Sequence, residues 1–312
     1  MKADIAVQSY KKPESLLYAL MSLKKYSDES MGDIFINDDS EVPIEELNKI
    51  FLNDKIKEYF KGHKIFVRKN TKRMAWFSYY IKGYFPRALN FAEKIKVFLK
   101  RILRRNEVSA REDVRYQYAI DHAQTDYVYV IHDDMQFHDD VLGLYLKTAY
   151  EGGGYDLVGD LGQCWRCYYE NKCNPQKIAN GIYPCKKYPV LPVCKKGTEN
   201  QKSLNKYACR INEWSALVNV KTEKEIAKKY KIFFGHYYST ADVGAYYYKV
   251  LVEKSYKVTD PLPSLDLRKK YYTHMWFGKS GHSVWVDQGT GKVAYQGEYI
   301  RKKIYEDFGI EI

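Results

Sequence analysis

Apolar and polar positions alternate with two different periods along the first half of the chain. Asp4 to Gln8 (D-I-A-V-Q) is a short apolar run of β-formers and reads as a buried strand. Pro13-Glu14 opens a helix, because proline suits the first helical position and Leu16, Leu17, Leu20 and Leu23 make a stripe at helical spacing. Asp33 to Asn37 (D-I-F-I-N) reads as a second strand, ending in Asp38-Asp39-Ser40. Pro43 opens another helix, with Ile44, Leu47, Ile50 and Phe51 on one face, and Lys64 to Val67 is a third strand. Arg111 to His122 predicts a helix and Tyr127 to Ile131 a fourth strand that ends in His132-Asp133-Asp134. His138 to Tyr150 is helical again. Strands alternating with helices predict βαβ units and a mostly parallel α/β sheet flanked by helices.

Two acidic pairs, Asp38-Asp39 and Asp133-Asp134, fall just beyond the carboxyl ends of predicted strands. Open α/β sheets bind ligands in the crevice at those ends. One pair alone serves equally as a helix cap or turn. Two pairs on neighbouring strands ask for more, since four converging carboxylates repel unless a cation sits among them.

Length and charge narrow the setting. The 312 residues fit two units of ~150 residues, or one large α/β domain with an extension. Lys and Arg exceed Asp and Glu by 51 to 39, a net charge of +12 that favours anionic partners: nucleic acid, an acidic membrane surface or phosphorylated ligands. No apolar run approaches the ~18 residues of a membrane span. Met1-Lys2-Ala3-Asp4 runs into Ile5-Ala6-Val7 without an apolar signal region, so a cytoplasmic placement is expected. In that compartment the six Cys are free thiols or metal ligands more readily than disulfides.

Several segments in order resemble the family 2 glycosyltransferases of the GT-A fold. I-A-V-Q-S-Y-K-K-P at 5–13 looks like their opening strand and turn, and D-I-F-I-N-D-D-S at 33–40 their second strand and Asp pair. Arg115, followed by Ala119-Ile120, Tyr127-Val128 and I-H-D-D at 131–134, is similar to their Arg-helix-strand-DxD segment. R-I-N-E-W-S-A-L-V at 210–218 resembles the strand and loop on the acceptor side, and T-A-D-V-G at 240–244 the late Asp-bearing helix start. The chain departs from the pattern at Ile131, Tyr116 and Ser40, and it lacks a Q-x-x-R-W motif, which argues against a processive synthase.

The resemblance implies an inverting, metal-dependent enzyme that moves a sugar from a nucleotide-diphosphate sugar to a glycan or lipid-linked hydroxyl. It implies that Asp39 accepts the N–H of a pyrimidine base, favouring a UDP or dTDP donor, with Gln8, Tyr10, Arg115 and Asp133 around the nucleotide. It gives Asp134, flanked by Asp133 and completed by His274, to a Mn2+ or Mg2+ ion. It gives the general base to Asp242, with Glu213 as the other candidate base or an acceptor-hydroxyl ligand. Gly278-Lys279-Ser280-Gly281-His282 is a candidate lid in which Lys279 and His282 reach a phosphate. Each residue also has a plainer reading: Arg115 as a solvated helix arginine, Asp242 as an N-cap, His274 as a satisfied structural histidine.

Two insertions interrupt the pattern. In 73–110, Phe91, Ile95, Phe98, Leu99, Ile102 and Leu103 oppose Lys94, Lys96, Lys100, Arg101, Arg104 and Arg105. That is a basic amphipathic helix, which either lies on an anionic membrane surface or packs on the core with a solvated basic face. In 160–209, Cys164, Cys167, Cys173 and Cys185 include one C-x2-C pair and are candidate structural Zn2+ ligands; reduced thiols and disulfides are the alternatives. The expected organisation is a nucleotide-sugar half at 1–150, an acceptor half at 151–260 and a C-terminal extension at 261–312. Two other classes compete. A basic nucleic-acid-binding protein accounts for the charge but not for acidic pairs at strand ends. A nucleotidyltransferase of related fold wants a Gly-rich loop after the first strand, where Gln8-Ser9-Tyr10-Lys11 has none.

Overall fold

The structure, a computed structural model, describes residues 1–39, 45–70, 95, 99, 111–162, 210–230, 232–235, 243–275, 286–287, 294–295 and 297–312. Strand β1 (Ala3–Ser9) leads into helix α1 (Pro13–Ser27), strand β2 (Met31–Asp38), helices α2 (Glu45–Leu52) and α3 (Asp54–Tyr59), and strand β3 (Ile65–Lys69). Helix α4 (Gln117–His122) precedes β4 (Tyr127–His132), β5 (Met135–Phe137), α5 (Val141–Glu151) and β6 (Leu157–Gly162). Strand β7 (Arg210–Asn219) runs into α6 (Val220–Tyr230); α7 (Ala245–Glu253), β8 (Val258–Thr259), α8 (Leu265–Tyr271) and β9 (Tyr272–His274) follow. Two short strands, β10 (Val286–Asp287) and β11 (Ala294–Tyr295), pair antiparallel before α9 (Gly297–Phe308).

Among the described residues seven strands form one sheet in the order β3-β2-β1-β4-β7-β6-β8. β3, β2, β1 and β4 run parallel, β7 runs antiparallel to both neighbours, and β8 returns parallel to β6. The expected mostly parallel α/β sheet is therefore present, with strands from both 1–150 and 151–260 in it. Side-chain alternation divides the core into two layers. Ile5 and Val7 of β1 and Tyr129 and Ile131 of β4 pack on α1, α5 and α9. Ala6, Val128 and Val130 pack on the other face, against α4 and α7. The same parity sends Gln8, Asn37 and His132 to that second face at the carboxyl edge, where Gln8 is in register with both.

Pro13 stands in the first turn of α1, with Glu14 there and Lys24 and Lys25 in the last turn, the charge order that suits a helix dipole. The expected continuous helix from Arg111 to His122 is not formed. A 3-10 turn (Arg111–Asp113) gives way to Arg115, which bridges Gly235, and to Tyr116, whose φ of 65° is left-handed. Tertiary contacts explain the break: Arg68 pairs with Asp113 at 2.7 Å, and the Asn37 amide donates to the Glu112 carbonyl at 2.8 Å. The Tyr116 ring is buried, which repays a left-handed residue costing roughly 1–2 kcal/mol. Arg115 thus sits on a kinked loop over the sheet edge rather than on a helix.

Of the basic insertion only Ile95 and Leu99 are described, both helical and exposed. The Cys-rich stretch with Cys164, Cys167, Cys173 and Cys185 lies outside the described residues, as do Asp242, Lys279, His282 and the Pro43 expected to open a helix. Among the described residues no helix is long and apolar enough to cross a membrane.

Candidate metal centre

The carboxyl end of β4 is built by a small ladder. β5 pairs antiparallel with β9, placing Met135 opposite His274, and the Met275 N–H donates to the Asp134 carbonyl at 2.8 Å. This brings a residue 140 positions away beside the acidic pair. His132, Asp134 and His274 each offer one ligand atom, and these atoms all lie within 4.8 Å of one another. His274 Nε2 is 3.1 Å from Asp134 Oδ1, and His132 Nδ1 is 3.3 Å from His274 Nε2 and 3.8 Å from Asp134 Oδ1. The other Asp134 oxygen, Oδ2, faces the Lys12 ammonium at 3.2 Å. Two imidazoles and one carboxylate oxygen converging at this spacing fit a divalent ion of borderline character.

The four-carboxylate convergence expected from the sequence is not what the edge contains. Asp133 accepts the Tyr10 N–H on Oδ2 at 3.2 Å and faces Lys12 through Oδ1 at 3.4 Å, while its carbonyl accepts Ser15 Oγ at 2.6 Å. It ties the β1–α1 turn to β4 and lies outside the three-donor cluster. Asp39 accepts the Asn70 amide on Oδ1 at 2.5 Å, and its N–H donates to the Ser9 carbonyl at 2.9 Å. Partition between separate cations and donors relieves the repulsion that a shared site would impose.

Electrostatics at the pair follow from this partition. Burial raises the Asp133 carboxyl above the usual range, with Lys12 working against it. Burial also acts to raise Asp134, but the His274 hydrogen bond and the charges of His274, Lys12 and His132 hold it well below that range. For Lys12, burial disfavours the charge, and Asp133 and Asp134 more than reverse this, holding the ammonium above its ordinary value. Asp134, which offers an oxygen to the cluster, is thus held toward its ionised form by its neighbours.

Glu213 and Trp214 of β7 close the centre from the neighbouring strand. Glu213 is buried, with Oε1 3.6 Å from His132 Nε2 and 3.9 Å from Arg115, and Oε2 3.5 Å from Arg210. Burial works to raise its carboxyl, but Arg210, His132 and Arg115 hold it well below the usual range. A carboxylate so strongly stabilised is a weak proton acceptor at neutral pH. Trp214 stacks on His274, and its indole N–H reaches Asp160, which also pairs with Arg268 at 2.7 Å.

Beside the cluster, polar atoms are buried without a hydrogen-bond partner among the described residues. They include both amide atoms of Gln8, Oδ1 of Asn37, Nε of Arg115 and Nδ2 of Asn212. Buried polar atoms are nearly always satisfied, so these atoms offer hydrogen-bonding capacity beside the cluster that a polar ligand or a water would take up. Of the residues expected from the sequence, the structure gathers Asp134, His274, Glu213 and Arg115 around one point, with Asp133 and Tyr10 at its β1 side and Asp39 bound to Asn70. Sequence reading missed His132, Lys12 and Trp214. The first was legible in the H-D-D run as the last strand residue. The other two depended on register and turn geometry.

No family model and no curated protein matches this chain. The solved structures it aligns with include a xylosyltransferase and a mannosyltransferase. Mouse xyloside xylosyltransferase 1, in its apo form, aligns at 11% identity over 83% of this chain and 85% of that one, with a TM-score of 0.38. The mannosyltransferase PcManGT from Pyrobaculum calidifontis, in complex with GDP-Man and Mn2+, aligns at 9% identity over 83% of this chain and 54% of that one, with a TM-score of 0.42. S. aureus TarS 1–349 aligns at 12% identity over 87% of this chain and 60% of that one, with a TM-score of 0.40.

Proposed function

We propose that the chain is a metal-dependent glycosyltransferase that takes its sugar from a nucleotide-diphosphate donor. The observation that carries this reading is the His132–Asp134–His274 cluster at the carboxyl edge of the parallel strands, beside the unsatisfied polar atoms of Gln8, Asn37 and Arg115. Crevices at that edge are where open α/β sheets take nucleotides.

His132, Asp134 and His274 would hold the divalent cation, and two imidazoles favour Mn2+ over Mg2+. When bound, the cation supplies charge neutralisation for the departing diphosphate. Lys12 and Arg115 add fixed positive charge on either side of the cluster, suited to phosphate oxygens. Asp39, at the end of β2, is assigned to the imide N–H of a uracil or thymine base, so UDP and dTDP sugars are the favoured donors. Asp242 is assigned the general base, taking the proton of the acceptor hydroxyl as its oxygen attacks the anomeric carbon from the face opposite the diphosphate. That single displacement inverts the anomeric centre. The resemblance gives Asp242 this role ahead of Glu213, whose carboxylate is enclosed by Arg210, His132 and Arg115. The acceptor is a glycan or lipid-linked hydroxyl, and the basic 94–105 stretch fits an anionic membrane surface near it.

A thermal-shift panel of UDP, dTDP, GDP and CDP, each with and without Mn2+, tests the reading, since a ligand of the folded state raises the melting temperature. A shift for one nucleotide that requires Mn2+ is expected. No shift for any of them, with a shift for oligonucleotides instead, would replace the reading with nucleic-acid binding.

A further inference from the structure

We infer that Glu213 is the outer carboxylate of the metal centre: it receives the Nε2–H of His132 and so fixes the ring that presents Nδ1 to the cation. The inference rests on the metal reading above and makes Glu213 a positioning residue.

The two nitrogens of His132 face different partners. Nδ1 looks into the cluster, 3.3 Å from His274 Nε2 and 3.8 Å from Asp134 Oδ1. Nε2 looks away from it, toward Glu213 Oε1 at 3.6 Å, and is buried without a hydrogen bond among the described residues. An imidazole that coordinates through one nitrogen carries its proton on the other, and that N–H needs an acceptor. Glu213 Oε1 is 0.6–0.7 Å beyond a normal N–H···O distance of roughly 2.9–3.0 Å, a gap that a small ring rotation closes.

Glu213 is itself held in place. Arg210 stands at 3.5 Å from Oε2 and Arg115 at 3.9 Å from Oε1. Its side chain is only 6% exposed, so its contacts are with protein groups rather than with the open crevice. Arg210 is anchored in turn, donating to Asn212 at 3.1 Å and to the Val243 carbonyl at 3.3 Å. A guanidinium–carboxylate–imidazole chain thus runs from β7 to the cluster. Outer carboxylates of this kind orient the ligating ring and raise its basicity, and their loss weakens metal binding by about 10–100-fold.

The test is the Mn2+ dissociation constant, read from the electron paramagnetic resonance signal of free Mn2+, for the wild-type chain, Glu213→Gln and Glu213→Ala. Glutamine keeps an oxygen that accepts the Nε2–H, so Glu213→Gln should stay within about threefold of wild type while Glu213→Ala weakens binding by about 10–100-fold. Equal affinity for wild type and a folded Glu213→Ala overturns the inference. If the wild-type chain binds no Mn2+, the metal reading itself fails, and the inference with it. Should Glu213→Ala not fold, the near-isosteric Glu213→Met, which offers no oxygen to the Nε2–H, takes its place: binding weakened by about 10–100-fold supports the assignment, and wild-type affinity overturns it.

Discussion

Trp214 lies with its ring centroid 4.9 Å from that of His274, the planes 27° apart, while its indole N–H donates to Asp160 Oδ2 at 2.7 Å. The contact joins a candidate ligand to a buried polar network. Asp160 also meets Arg268 through Oδ1 at 2.7 Å and accepts the Tyr272 hydroxyl at 3.2 Å, and Arg268 reaches Asp260 at 2.8 Å. Removing Asp160 leaves the largely buried guanidinium with Asp260 as its remaining partner and two donors without an acceptor. Asp160→Ala should therefore destabilise the fold by roughly 1–3 kcal/mol, measured by urea unfolding. A loss under about 1 kcal/mol would show the network to be incidental.

Asp134 is the carboxylate of the cluster, so its replacement tests the centre directly. Asp134→Ala should remove the Mn2+-dependent part of any nucleotide-induced thermal shift and abolish sugar transfer. The far-ultraviolet circular dichroism should remain that of the wild type, because Asp133 still engages Lys12 and the Tyr10 amide. Retained Mn2+ dependence in a folded Asp134→Ala protein would remove Asp134 from the metal centre.

Glu223 of α6 is a fully buried carboxyl outside the His132–Asp134–His274 cluster. Burial pushes its carboxyl up to about 7, against the Gln117 amide, the Arg111 charge and the Phe234 N–H. Its unfolded value is about 4.3. A group raised on folding lends stability that is complete below the unfolded value and is lost as pH rises through the folded one. Stability should thus fall by up to about 3 kcal/mol between roughly pH 4 and pH 7 on this account. Glu223→Gln, neutral throughout, should flatten that slope and be the more stable protein at pH 8. Parallel urea-unfolding stabilities for the two proteins across this range would refute the assignment.

Gly235 faces Arg115 across an isolated antiparallel bridge, and a Cβ there would overlap the Arg115 carbonyl. Backbone on both sides gives the clash no flexible group to move. Gly235→Ala should cost about 1–3 kcal/mol and shift Arg115 from its place beside Glu213. Nucleotide affinity should fall along with melting temperature. Unchanged affinity in Gly235→Ala would mean that Arg115 does not contact the donor.

Much of this architecture was legible because local chemistry and global fold agree. Pro13 and the Leu16–Leu23 stripe specify α1, and the alternation in I-A-V-Q gives β1 its two buried faces. The acidic pair at 133–134 falls at a strand end, as its place after Y-V-Y-V-I predicts. What escaped was set by contacts distant in sequence. The Arg111–His122 segment has helical composition, yet Arg68, Asn37 and Gly235 hold it open. Pairing of β5 with β9 sets His274 opposite Met135, a register that helical or strand periodicity does not encode. His132 is a strand-end histidine on the same face as Gln8 and Asn37, so the H-D-D run carries its signal beside the more prominent carboxylates.

Lys12 spans both acidic residues, 3.4 Å from Asp133 and 3.2 Å from Asp134. Its ammonium supplies a counter-charge but also repels a cation approaching the shared carboxylate. The two effects have opposite signs for stability and for metal affinity. Lys12→Gln should lower the melting temperature without metal, because the adjacent carboxylates lose their shared partner. The same change should tighten Mn2+ binding on the order of tenfold, equivalent to ~1.4 kcal/mol. The increase in melting temperature on adding Mn2+ should therefore be larger in the variant than in the wild type. Weaker Mn2+ binding by Lys12→Gln would mean that Lys12 organises the donors rather than competing with the ion.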